Sequence, residues 1–165
     1  MASESPKSLK DLTRRILHFN INVTDIEKSK AFYEKLGFVV VPGFGGTTKN
    51  NDMANIYLGD DKETELEFVH MKIGEDKDGV ETRIDIVQWK DPAPLGISKK
   101  DPTSLGIARF SLLTDEIFKA YELLKEEGVT FVVPENNGPM PFGEGIYLLP
   151  FYDPDGNMLQ YLQGL

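Results

Sequence analysis

A chain of 165 residues, 40% of them hydrophobic and 27% charged, has the size and makeup of one globular domain, or of two small modules sharing a core. It contains no cysteine, which excludes a disulfide framework, a thiolate nucleophile and any Cys-ligated zinc or iron–sulfur site. A formal charge of −9 with no basic stripe argues against a nucleic-acid partner, no apolar run is long enough to cross a bilayer, and the opening "MASESPKSLKDLTRR" lacks the hydrophobic stretch of a secretory leader, so a cytoplasmic protein is expected.

Residues 1–14 read as a solvated tail. "HFNINV" then alternates as a strand, with His18, Asn20 and Asn22 on one face and Phe19, Ile21 and Val23 on the other. "TDIE" predicts a helix start with Thr24 as N-cap and Glu27 reaching back. Ile26, Phe32, Tyr33 and Leu36 share one broad helical face, and Gly37 supplies the stop. A β-rich run, "FVVVP", leads into "GFGGTTKNND" (43–52), read as a flexible loop. Two strands follow, "TELEFVHMKI" and "TRIDIVQWKDP", joined by a polar turn at "GEDKDG" (74–79). In the first, Leu66 and Phe68 are read as core, and His70 with them as structural. In the second, Ile84 and Ile86 face the core while Asp85, Val87 and Trp89 face the other way.

The segment "DPAPLGISKKDPTSLG" (91–106), rich in Pro, Gly and Ser, reads as a linker. Beyond it the chain repeats itself. "RFSLLTDEIFKAYELLKEEGV" (109–129) lies over residues 18–38 without a gap, so that His18 falls on Arg109 and Gly37 on Gly128. Ile117, Tyr121 and Leu124 mark the second helix, and "VTFVVP", "GIYLLPFY" and "NMLQYLQ" the strands after it. "DPDGN" reverses the chain before the last strand, because Pro154 fixes φ, Asp153 and Asp155 bond local backbone, and Gly156 tolerates positive φ. On that strand Gln160 shares a face with Met158 and Leu162.

Residues 15–90 and 107–165 thus each read as strand–helix–strand–strand–strand. One helix covers one face of so small a sheet. The expected architecture is therefore α+β, two tandem βαβββ modules forming a curved mixed sheet around a cup.

The stretch "LHFNINVTDIEKSKAFYEKLGF", the hairpin "FYDPDGNMLQYLQ" and the paired modules together resemble the vicinal oxygen chelate superfamily, over about residues 15–163. That group includes glyoxalase, methylmalonyl-CoA epimerase, extradiol dioxygenases and bleomycin- and fosfomycin-resistance proteins. The resemblance implies four cup-facing positions on the first and last strands of each module. They fall on His18, on Asp85, on Arg109 and on Gln160. Glu67 is the alternative to Asp85, which is preferred because its strand closes the module directly before the linker. Arg109 departs from the pattern, since a guanidinium has no lone pair for a metal. Gln160 replaces a carboxylate with a neutral amide.

The resemblance implies a glyoxalase-like lyase or isomerase acting on an enolisable or vicinally oxygenated small molecule. The alternative is a non-catalytic protein that sequesters a small molecule, as bleomycin-resistance members do. His18, Asp85 and Gln160 are the expected ligands of a divalent Zn, Ni, Mn, Fe or Co ion. Without an ion, His18 or Asp85 serves as general base, with Arg109 clamping a substrate carboxylate or phosphate, or pairing with Asp85. Arg109, Trp89 and Asn20 are the expected substrate contacts, and Tyr57, Met71 and Tyr147 further candidate walls. Extradiol cleavage is not expected, because a second histidine ligand is missing. A homodimer is the expected association.

Overall fold

Twice along the chain, a strand runs into a helix and the backbone then returns through hairpins to lie beside that strand. The computed structural model describes residues 16–50, 54–58, 63–74, 81–96, 103, 106–133 and 138–164. The tail expected over 1–14, nearly all of the turn at 74–79 and much of the linker lie outside the described residues. The chain divides into two compact units, one holding the first strand and residues 33–92, the other Val23–Phe32 together with the residues from Ala93 onward. No helix among the described residues is long and apolar enough to cross a membrane.

In the first unit, β1 (Phe19–Asn22) precedes helix α1 (Ile26–Lys35), of which Ile26–Phe32 is counted with the second unit. Next come β2 (Val39–Asn50), a short π-helix (Ala54–Leu58), β3 (Thr64–Ile73) and β4 (Thr82–Asp91). The four-stranded sheet has the order β1-β4-β3-β2. β1 and β4 run parallel, and the other pairs are antiparallel. Paired residues share a face, so Ile21 with Ile86 and Ile84 with Met71 form one apolar surface, and all four are buried. Tyr33, Leu36 and Phe38 are buried too, with the Tyr33 and Phe38 rings edge to face at 5.6 Å.

The stretch at 43–52 is not a loop up to residue 50. It continues β2, with a bulge between Val40 and Gly45. Gly45 has φ +151, and a Cβ there would stand 3.0 Å from the Phe68 carbonyl oxygen. The glycines that look like loop residues are what let one backbone press against its neighbour.

In the second unit, β5 (Phe110–Leu113), α2 (Ile117–Glu126), β6 (Met140–Pro141), β7 (Tyr147–Tyr152) and β8 (Met158–Gln163) repeat the plan. The sheet order is β5-β8-β7-β6, again with first and last strands parallel. Among the described residues "VTFVVP" contributes an isolated bridge, Phe131 to Phe151. Leu112, Leu149, Phe151 and Leu159 form the buried face, and Ile117 and Leu124 of α2 are buried. The first backbone N–H of α2 donates to Gln163 Oε1 at 2.7 Å, which satisfies one orphan donor of that helix end.

The "DPDGN" turn forms as expected. Asp153 Oδ1 accepts from the backbone of Asp155 (2.9 Å) and Asn157 (2.8 Å), and Gly156 has φ 85. The Asp155 carboxylate accepts from the Thr24 backbone at 3.1 Å and the Ser29 hydroxyl at 3.2 Å. This corrects the helix start. With Thr24 held by Asp155, Asp25 becomes the N-cap of α1 and its Oδ1 accepts from the Lys28 N–H at 3.0 Å. Glu27 pairs with Lys30 instead of closing a capping box.

Candidate metal centre

Parallel pairing sets Asn20 of β1 opposite Asp85 of β4, and the β3–β4 hairpin sets His70 opposite the same Asp85. His18 lies two residues before Asn20 and so comes round to the same face. Three adjacent strands therefore bring two imidazoles to one carboxylate. His18 Nε2 is 3.3 Å from Asp85 Oδ2, and His70 Nδ1 is hydrogen-bonded to Asp85 Oδ1. The two rings stand edge to face, 5.4 Å between centroids at 89°. One ligand atom from each residue can be chosen so that all three lie within 4.8 Å of one another.

The cluster is largely withdrawn from water, with side-chain exposures of 29% for His18, 16% for Asp85 and 9% for His70. His18 Nδ1 and His70 Nε2 are buried and have no hydrogen-bond partner among the described residues. The Phe44 ring, carried by the β2 bulge, lies 5.9 Å from the His70 ring.

These residues fit a divalent transition metal. Ligand atoms that share one ion at about 2.0–2.2 Å stand no more than about 4.4 Å apart; the 3.3 Å between His18 and Asp85 falls inside that limit, and the full set, within 4.8 Å, needs only a small closure to meet it. Two imidazole nitrogens and one carboxylate oxygen suit zinc, nickel, iron, cobalt or manganese better than calcium or magnesium, which prefer all-oxygen shells.

The other expected site residues are distributed as follows. Glu67 is in register with Gln88, so it lies on the face opposite Asp85, and it pairs with Lys90 at 3.2 Å. Asn20 flanks Asp85 on the cluster's face. Trp89 is on that face too, its Nε1 donating to Asn22 Oδ1 at 3.3 Å. Met71 is fully buried on the opposite face, Tyr57 is exposed, and Tyr147 meets Phe118.

Arg109 and Gln160 belong to the second unit, where Arg109 Nε donates to Gln160 Oε1 at 2.9 Å and Gln160 Nε2 donates to Ser111 Oγ at 2.8 Å. The repeat makes the comparison between units direct. Ser111 opposite Gln160 matches Asn20 opposite Asp85, and Pro150 opposite Gln160 matches His70 opposite Asp85. The second-unit counterparts of His18, Asp85 and His70 are thus Arg109, Gln160 and Pro150. Two of these cannot ligate a cation and the third already accepts from a guanidinium.

His70 is the member that sequence reasoning assigned to structure. Leu66 and Phe68 lie on its face and look like core, yet that face is the one carrying Asp85. The hairpin register was the available signal, since folding β3 onto β4 brings His70 and Asp85 together.

The glyoxalase/bleomycin resistance protein/dioxygenase superfamily model matches residues 15–161. No curated protein matches the chain. Among solved structures, a glyoxalase family protein from Bacillus cereus is similar at TM-score 0.76 and 16% identity, covering 99% of each chain. Glyoxalase I of Leishmania major, described as trypanothione-dependent, is similar at TM-score 0.55 and 18% identity over 92% of this chain and 87% of its own. A fosfomycin resistance protein from Listeria monocytogenes is similar at TM-score 0.52 and 15% identity, over 93% of this chain and 95% of its own. At these identities the likeness is one of fold.

Proposed function

The chain belongs to the glyoxalase/bleomycin resistance protein/dioxygenase superfamily, and from that premise we propose that it is a glyoxalase-like lyase or isomerase holding a divalent metal on His18, His70 and Asp85. The observation that carries this reading is the convergence of those three side chains on one sheet face within 4.8 Å. Its substrate is a small molecule with an enolisable carbon or two neighbouring oxygens. His70 takes the place expected for Gln160 among the ligands, because the Gln160 oxygen already accepts from Arg109.

When bound, such an ion supplies Lewis-acid stabilisation of the oxyanion that develops as a carbon beside a carbonyl loses its proton. With the two rings, the Asp85 carboxylate would hold the ion and offset part of its charge. Asn20, beside Asp85 on the same face, hydrogen-bonds a substrate oxygen. Phe44 over His70, and Trp89 anchored to Asn22, provide apolar walls that exclude water. Without an ion the cluster still has basic capacity. When Asp85 accepts from both rings, the lone pairs at His18 Nδ1 and His70 Nε2 remain to take a proton.

The test is proton exchange. Protein loaded with nickel, zinc or manganese is incubated in deuterated water with hemithioacetals and α-hydroxycarbonyl compounds. Deuterium entering the α-carbon, lost in Asp85→Asn, is the expected result. A compound that binds tightly with neither exchange nor product would replace this reading with sequestration. One observation favours a second reading. Two histidines and a carboxylate are also the ligand set of non-haem iron(II) oxygenases, and His70 supplies the second histidine. Oxygen uptake by the iron(II)-loaded protein with a catechol would favour that alternative.

A further inference from the structure

We propose that Arg109, Ser111 and Gln160 form an oxyanion-binding subsite on the second unit, taking a carboxylate or a phosphate group. The inference stands apart from the metal reading, since its residues belong to the second unit alone.

The argument begins with a donor that cannot become an acceptor. A guanidinium carries only N–H groups, so the Gln160 atom facing Arg109 Nε at 2.9 Å must be the amide oxygen. The amide NH2 is therefore turned to Ser111 Oγ at 2.8 Å, and that oxygen must accept. Its hydroxyl hydrogen is left to point elsewhere. Gln160 is buried, 7% exposed, while Arg109 and Ser111 are exposed. A buried amide thus holds two exposed groups in fixed orientation. The donors these two exposed groups have left are the terminal guanidinium nitrogens and the serine hydroxyl. Among the described residues neither group has a further partner.

Charge points the same way. A carboxylate at position 160 would pair with Arg109 and neutralise it. The amide fixes the guanidinium and leaves its positive charge intact, in a chain whose formal charge is −9. A forked cation beside a hydroxyl donor matches the two or three acceptor oxygens of a carboxylate or phosphate. Gln160 is then a positioning residue, and Arg109 and Ser111 are the contacts.

Titration of the full chain with inorganic phosphate and separately with acetate, followed on the Arg109 Nε–H resonance, tests this and tells the two ligand sources apart. Binding of at least one anion is expected, weakened by about tenfold or more in Arg109→Ala and by a smaller factor in Ser111→Ala. Gln160→Glu should also weaken binding by about tenfold or more while leaving the thermal midpoint unchanged or higher, because the new carboxylate still accepts from Arg109. A merely structural glutamine would not produce that split. If Gln160→Glu does not fold, Arg109→Lys decides, since it keeps the charge and loses the fork, and weaker binding is again expected. Binding of neither anion to the unaltered chain, or equal binding by Arg109→Ala, would overturn the proposal.

Discussion

Asp85 is the residue on which the first unit's chemistry turns, because each of its oxygens faces a different imidazole. Replacing it with asparagine keeps the shape and removes the charge that draws in a cation. Asp85→Asn should therefore lower metal affinity by roughly a hundredfold or more, read by calorimetric titration with zinc or nickel. The alternation of "HFNINV" and "TRIDIVQW" was enough to place His18 and Asp85 on one face. It did not reveal His70, because Leu66 and Phe68 precede the histidine on the same strand face and make that face read as core. A second residue makes a pH prediction. Burial pushes the Tyr161 phenol above its ordinary value of 10.0. The unfolded chain ionises first as pH rises, so this contribution to stability is whole below about pH 10 and declines through the folded pKa above it. Tyr161→Phe should flatten the alkaline end of a stability profile measured by urea unfolding.

At the scale of elements, the strand-to-helix passages were legible because period two gives way to period 3.6 twice, each time in a helix closed by a glycine stop. The ends of those elements were harder to read. "TDIE" offers two N-cap residues in succession, and the choice between Thr24 and Asp25 is made by Asp155, 131 residues away along the chain. Asp155→Ala removes acceptors from both the Thr24 backbone and the Ser29 hydroxyl, and should cost about 2 kcal/mol of stability by urea unfolding. Asp25→Ala should cost about 1 kcal/mol in the same measurement. The continuation of β2 beyond Pro42 escaped notice for a different reason. Its glycines make it read as a loop, whereas their role is to seat a bulge against β3. Gly45→Ala puts a side chain at φ +151 with its Cβ 3.0 Å from the Phe68 carbonyl. It should destabilise by about 1–3 kcal/mol and disturb the Phe44–His70 contact, visible as a shift of the His70 ring resonances.

For the whole molecule, the repeat explains why two equivalent strand sets carry unlike chemistry. The backbone register recurs, Asn20 with Asp85 and Ser111 with Gln160, while the side chains have diverged. One set gathers lone pairs and a negative charge, and the other gathers donors and a positive one. A chain with two matched metal-binding modules would hold two ions. This one should hold one, and it should lose that ion when the first unit is altered and keep it when the second is. Metal stoichiometry of the full chain, compared with His70→Ala and Arg109→Ala, tests that directly. One divalent ion per chain, abolished or weakened by roughly a hundredfold or more in His70→Ala and retained in Arg109→Ala, is the predicted result. An unaltered chain that retains no ion from zinc, nickel, manganese, iron or cobalt, or one whose affinity is indifferent to His70→Ala, would contradict it.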